Sequence, residues 1–176
     1  MKVAAKAGLC RLIYFDEAGF NATAPVQYGW SKVGQPHELL PLSRCRQSVL
    51  GALDYGNNQL IHQSTDGRVS RETVTKFLDQ LAQRQVDDGR FCYVVLDNAA
   101  IHHGIDQETL DRWLIQHRMV LVYLPTYSPE LNLIEIVWKH AKYYWRRFIS
   151  WTKETMALEV EKLLNGYGHN FQICFS

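Results

Sequence analysis

Apolar positions along this chain follow two rhythms. Short unbroken runs, Leu12 to Phe15, Phe91 to Leu96 and Met119 to Leu124, predict strands buried on both faces. From Ser70 to about Val86 the period changes. Val74, Phe77, Leu78 and Leu81 recur at three and four, while Arg71, Glu72, Lys76 and Asp79 face outward, which predicts a helix. A second amphipathic helix is predicted over Asp106 to His117, with Leu110, Trp113 and Leu114 as its inner stripe. Gln47 to Tyr55 and Gln59 to Gln63 flank Gly56-Asn57-Asn58, residues that tolerate positive φ, so a hairpin is expected there. Asp16-Glu17-Ala18-Gly19 reads as a turn after the first strand.

Ser128-Pro129-Glu130 has the composition of a helix start: a capping serine, a proline suited to the first turn, and a carboxylate for the positive helix end. This helix is expected to run to about Phe148. Another is expected over Lys153 to Leu164, stopped by Asn165-Gly166. Residues 21 to 46 hold three of the five prolines and predict a long irregular excursion. The tail from Tyr167 to Ser176 has no readable period, and there is no internal repeat. A hairpin followed by alternating strands and helices implies an α/β fold, a mixed central sheet with helices on both faces.

Composition narrows the class without naming a function. A length of 176 residues suits one domain. Such a domain buries roughly two-thirds of its unfolded surface. Hydrophobic residues are 47% and charged residues 21%, so global disorder is excluded. The net charge of +1 gives no general affinity for nucleic acid, and any footprint must be local. Cys10, Cys45, Cys92 and Cys174 have no zinc-ligand spacing and are expected to be reduced thiols, as in a cytoplasmic protein (nucleoid-associated if bacterial). No apolar run spans a membrane and no signal peptide is evident, so no membrane partner is expected.

Two of the apolar runs end in an aspartate, Asp16 and Asp97, and Glu135 follows the third on the next helix. Sites in open α/β sheets form at the carboxyl ends of strands. Three carboxylates brought there would suit two divalent ions in phosphodiester chemistry, one activating a water or a 3′-hydroxyl and the other the leaving oxygen. Taken singly, an aspartate after a strand is equally a turn residue, and Glu135 is equally one half of a surface Glu–Lys pair.

Past Glu135 the chain is basic, with Lys139, Lys142, Arg146, Arg147 and Lys153 before the next acid, Glu154. Positions 135, 139, 142 and 146 share nearly one helical face, on which a phosphate backbone could lie, and Trp138 stands beside them. The interleaved Tyr143, Tyr144, Trp145 and Trp151 suit base stacking or, more commonly, core packing. His102 could contact phosphate or tune Asp97. Its neighbour His103 does not make a zinc pair with it. Asn98 could bond a metal-bound water or shape the loop.

Three stretches together carry a specific resemblance: Tyr14-Phe15-Asp16-Glu17-Ala18-Gly19-Phe20, Leu96-Asp97-Asn98-Ala99-Ala100-Ile101-His102, and Leu124 to Trp138 with Ser128-Pro129-Glu130-Leu131-Asn132-Leu133-Ile134-Glu135 at its centre. Over about residues 11 to 150 the chain resembles the catalytic domain of a DDE transposase of the Tc1/mariner and IS630 superfamily. The resemblance implies a ribonuclease-H-like fold and a divalent-metal-dependent DNA endonuclease and strand transferase. Asp16, Asp97 and Glu135 would be catalytic and hold Mg²⁺, with Mn²⁺ as a substitute. His102, Trp138, Lys139, Lys142, Arg146 and Arg147 would meet nucleic acid. The implied partners are double-stranded DNA, both element ends and target, and a second copy in a homodimeric active complex. Insertion at TA dinucleotides is likewise implied by the family.

Trp30 and Gly34 match the family's loop after the first strand. Leu133 stands where a proline is common, and the Asp97–Glu135 spacing is slightly longer than usual. The chain is expected to be a single catalytic domain over 1–176, with 153–176 as its C-terminal helix and tail. It is also expected to lack the N-terminal helix-turn-helix region that reads element ends. A general ribonuclease-H-like nuclease and an inactive remnant serving as a DNA-binding or dimerising module are the alternatives.

Overall fold

In the computed structural model, residues 1–21, 32–34, 46–65, 67–84, 88–145 and 153–175 are described. A five-stranded sheet is built around the first apolar run. Strand β1 (Arg11–Asn21) pairs antiparallel with β2 (Arg46–Asp54), and β2 pairs antiparallel with β3 (Gln59–Thr65). On its other side β1 runs parallel to β4 (Cys92–Leu96), and β4 runs parallel to β5 (Met119–Tyr123). The order β3-β2-β1-β4-β5 puts β1 at the centre, where it changes from antiparallel to parallel pairing.

Alternation along β1 sorts its side chains between two cores. Leu12, Tyr14, Ala18 and Phe20 face one layer, and Ile13 and Phe15 the other. The first layer holds a short α1 (Lys2–Lys6), α4 (Ile134–Trp145) and α5 (Lys153–Asn165). The second holds α2 (Arg71–Gln83) and α3 (Gln107–His117). This is the expected ribonuclease-H-like arrangement, a mixed sheet with helices on both faces. Caps fix the helix starts: the Thr73 N–H donates to Ser70 Oγ at 3.3 Å, and the Thr109 N–H to Asp106 Oδ1 at 2.8 Å. Such a cap stabilises by about 1 kcal/mol.

Several expectations are corrected. Asp16-Glu17-Ala18-Gly19 is not a turn: β1 continues through it, with Asp16 opposite Gly51 and Glu17 opposite Leu50. The ladder to β2 and the burial of Ala18 and Phe20 outweigh the turn-forming composition. Leu114 is exposed, not part of the inner stripe of α3, where Trp113 is the buried residue. Of β5 only Met119 is buried, because this strand lies at the edge of the sheet. The helix expected from Ser128 is broken in two. A 3₁₀ turn covers Pro129–Leu131, and α4 starts only at Ile134. Ser128 makes no capping bond; its Oγ turns back to Thr126 O. Most of the excursion over 21–46, and Trp30 with it, lies outside the described residues, as do Arg146, Arg147 and Trp151. Among the described residues no helix is long and apolar enough to cross a membrane.

Candidate active site

The acidic residues share one neighbourhood, where β1 passes beyond its parallel partner. Asp16 is only 8% exposed, because α4 lies across its face of the sheet. The close approach of that helix depends on Gly51, the partner of Asp16 in β2. A Cβ at this position would fall 2.4 Å from the Trp138 ring and 3.1 Å from Ile134 Cδ1. Ile134, Val137, Trp138, Ala141 and Trp145 form the buried stripe of α4. Trp138 is therefore a core residue at 1% exposure, which corrects its expected place on the nucleic-acid face.

Asn132 fixes the start of α4. It is 2% exposed, and its Nδ2 donates to the carbonyl of Phe15 at 3.0 Å, one residue before Asp16. Its own carbonyl accepts the Glu135 N–H at 3.0 Å. Asn132 thus ties the strand of one carboxylate to the helix of another. Glu135 stands in the first turn of α4, exposed, where the helix end favours negative charge.

Asp97 directly follows β4 and is half-exposed. Its Oδ1 accepts the Ala99 N–H at 2.9 Å and lies 2.7 Å from Nδ1 of His102. His102 is fully buried. Its other nitrogen, Nε2, lies 2.9 Å from Oε2 of Glu17, and its ring packs edge-on to Phe15 at 5.5 Å. The Tyr123 hydroxyl donates to the His102 carbonyl at 2.8 Å. Of the two roles expected for His102, burial removes direct contact with phosphate and leaves the contact with Asp97. Asn98 shapes the loop, its Nδ2 donating to the Leu124 carbonyl.

Electrostatics follow from this crowding. Asp16 is pushed up to about 8, first by burial, then by the charges of Glu135 and Glu17, with Asp97 adding less. A backbone hydrogen bond at Glu17 offsets part of the rise. His102 goes the other way from an ordinary buried imidazole. Burial opposes its charge, but the Glu17 bond and the charges of Glu17 and Asp97 prevail and raise its pKa.

The donors around Asp16 are carboxylate oxygens, which suit Mg²⁺ or Mn²⁺, and the charges acting on Asp16 are all of its own sign. A divalent cation supplies the opposite charge. The residues fit such an ion in chemistry. In spacing the set is open: among the described residues, no three His, Cys, Asp or Glu side chains are gathered closely enough to hold one ion. Like-charge repulsion opposes closure, and His102 holds Asp97 from the opposite face of the sheet.

Along α4, Lys139 is exposed and Lys142 half-buried, on the same side as Glu135. Tyr143 is exposed, whereas Tyr144 packs on Phe171 with ring centres 5.5 Å apart. Sequence reasoning missed Glu17 and Asn132. Continuing the strand alternation past Asp16 would have put Glu17 on the face of Phe15, toward His102.

A family profile described as "DDE superfamily endonuclease" matches residues 11–156. No curated protein sequence matches the chain. Among solved structures, the Mos1 strand transfer complex superposes with a TM-score of 0.65 at 14% identity, covering 93% of this chain and 52% of that one. The Mos1 mariner paired end complex with Mn gives 0.66 at 12% identity, covering 88% and 48%. The intasome of simian T-cell lymphotropic virus gives 0.60 at 11% identity, covering 95% and 52%. The chain spans about half the length of these structures, and at such identities they establish the fold. With the family match extending over most of its length, the chain belongs to the DDE superfamily endonucleases.

Proposed function

We propose that this domain cuts DNA strands at element ends and joins them to target DNA by divalent-metal-dependent phosphoryl transfer. The observation that carries this reading is the buried Asp16, crowded by Glu135, Glu17 and Asp97 on elements that Asn132 and Gly51 hold together. A carboxylate kept in that setting is costly without a cation. Asp16, Asp97 and Glu135 would hold Mg²⁺, with Mn²⁺ as a substitute. The bound ions would acidify the attacking hydroxyl and offset the charge gathered on the phosphate. Two Mos1 paired end complexes, one with Mg and one with Mn, support that choice of ions.

The chain's own groups do the positioning. Lys139 and Lys142 take the phosphate backbone along α4, and Arg146 and Arg147, the next basic residues in the sequence, add to its charge. These contacts hold DNA in place without reading its sequence. The working complex is a homodimer, so that two element ends are processed together.

The test is a nicking and strand-transfer assay on duplex DNA bearing the flanking element ends, with Mg²⁺ or Mn²⁺. Both products are expected from the parent. Asp97→Asn is expected to lose them by orders of magnitude while still binding DNA without metal. Parent-level nicking by a cleanly purified Asp97→Asn protein would refute the reading. Cleavage of RNA or junctions in place of element ends would favour the general nuclease. Binding without cleavage would favour the inactive remnant.

A further inference from the structure

His102 sits between two carboxylates that belong to opposite sides of the site. Asp97 directly follows β4, whereas Glu17 lies on β1 one residue beyond Asp16, on the other face of the sheet. The two ring nitrogens are 2.7 Å from Asp97 Oδ1 and 2.9 Å from Glu17 Oε2. Nδ1 also lies 3.4 Å from the backbone carbonyl of Asp97. The ring cannot swing, because it is fully buried, packs edge-on to Phe15, and has its carbonyl held by Tyr123. Asp97 Oδ1 thus accepts the Ala99 N–H and rests against the imidazole, so the carboxyl group is held on two sides.

The geometry points to His102 and Glu17 as a positioning pair, in which Glu17 anchors the imidazole and the imidazole orients Asp97 to present its second oxygen, Oδ2, to a divalent cation. This rests on the proposed metal-dependent function and adds two residues to it. Neither touches substrate. They act through Asp97, in the way that hydrogen-bond partners of metal ligands orient those ligands and set metal affinity. The sheet makes the arrangement economical: one strand carries Asp16 on one face and, in the next residue, the anchor for Asp97 on the other.

Two amide substitutions separate the two bonds. His102→Asn leaves an N–H donor near the position of Nδ1 and keeps the contact with Asp97, but loses the anchor. His102→Gln leaves a donor near Nε2, beside Glu17, and abandons Asp97. Glu17→Ala removes the anchor without touching the ring or Asp97. The readouts are the Mn²⁺ dissociation constant of the full chain, from loss of the free-ion spin-resonance signal, and the melting temperature without metal.

Weakening of Mn²⁺ binding by roughly tenfold or more is expected for His102→Gln, the size typical for losing a partner of a metal ligand. Smaller, similar losses are expected for His102→Asn and Glu17→Ala, with metal-free melting unrelated to this order. If His102→Gln does not fold, Glu17→Ala against the parent decides the matter. Mn²⁺ constants within about twofold of the parent in both would overturn the assignment; losses that merely track melting temperature would do the same. Asp97→Asn, measured alongside, keeps the two claims apart. Mn²⁺ binding by the parent that Asp97→Asn abolishes upholds the functional reading whatever His102 does. A parent that binds no Mn²⁺ overturns that reading and this assignment with it.

Discussion

The sheet contains two buried aspartates, Asp54 and Asp16, and treats them in opposite ways. Asp54, at the end of β2, is 2% exposed and fully partnered. Its Oδ2 accepts from Arg11 at 2.9 Å and from Asn57 Nδ2 at 3.1 Å, and its Oδ1 accepts the N–H groups of Gly56 and Asn57. Asp16, farther along β1, is almost as buried, yet the charges acting on it are those of Glu135, Glu17 and Asp97. A fold selected only for stability would partner both in the same manner. The difference marks the Asp16 end as unfinished in charge, and a divalent cation is the proposed source of the missing charge.

The comparison is broken most strongly at the finished end. Asp54→Ala takes the buried carboxylate away from Arg11 and from two turn N–H groups, and should cost about 3 kcal/mol in urea unfolding. Gly51→Ala puts a methyl group against Trp138 and Ile134, and should cost about 1–3 kcal/mol by overpacking. Because it pushes α4 from the sheet beside Asp16, it should also slow metal-dependent cleavage more than its stability loss explains. Asp16→Asn should act in the opposite sense to Asp54→Ala, raising metal-free stability at pH 8 by about 1 kcal/mol, since it removes a carboxylate whose ionisation the fold resists. The smallest effect concerns the basic side of α4. Lys142→Ala should leave folding unchanged and lower the slope of log binding constant against log salt by about one unit, equally for unrelated DNA sequences. An unchanged slope would remove Lys142 from the footprint.

What the sequence made legible was whatever depends on local pattern. The apolar run ending at Leu96 put Asp97 at a strand's carboxyl end, and the three motif stretches pointed to the fold and family. What it hid depends on contacts distant in sequence. Asp16 looked like the first residue of a turn because the ladder to β2 that carries β1 onward is invisible locally. Trp138 shares a helical side with Glu135 and Lys139 in sequence, but Gly51, eighty-seven positions earlier, opens the space that draws the indole into the core. His102 offered two roles until its anchor appeared on Glu17, 85 residues away. The break before α4 was hidden as well, since Asn132 spends its side chain on Phe15, not on prolonging the helix from Ser128.

The central claim, that the Asp16 end awaits a divalent cation, is tested most directly by melting the parent and Asp16→Asn proteins from pH 5 to pH 8, with and without Mg²⁺. The Asp16 carboxyl is raised to about 8 in the folded chain, against about 3.9 when unfolded. Across this window the folded state therefore keeps a proton that the unfolded state has released. Its stabilising contribution is full below about pH 4, falls as pH rises, and is lost by about pH 8. Without metal, the melting advantage of Asp16→Asn over the parent should accordingly widen from pH 5 to pH 8. At pH 8, Mg²⁺ should raise the melting temperature of the parent by ~3 °C or more and leave that of the variant nearly unchanged. A pH-independent difference between the two proteins, together with equal responses to Mg²⁺, would contradict the account.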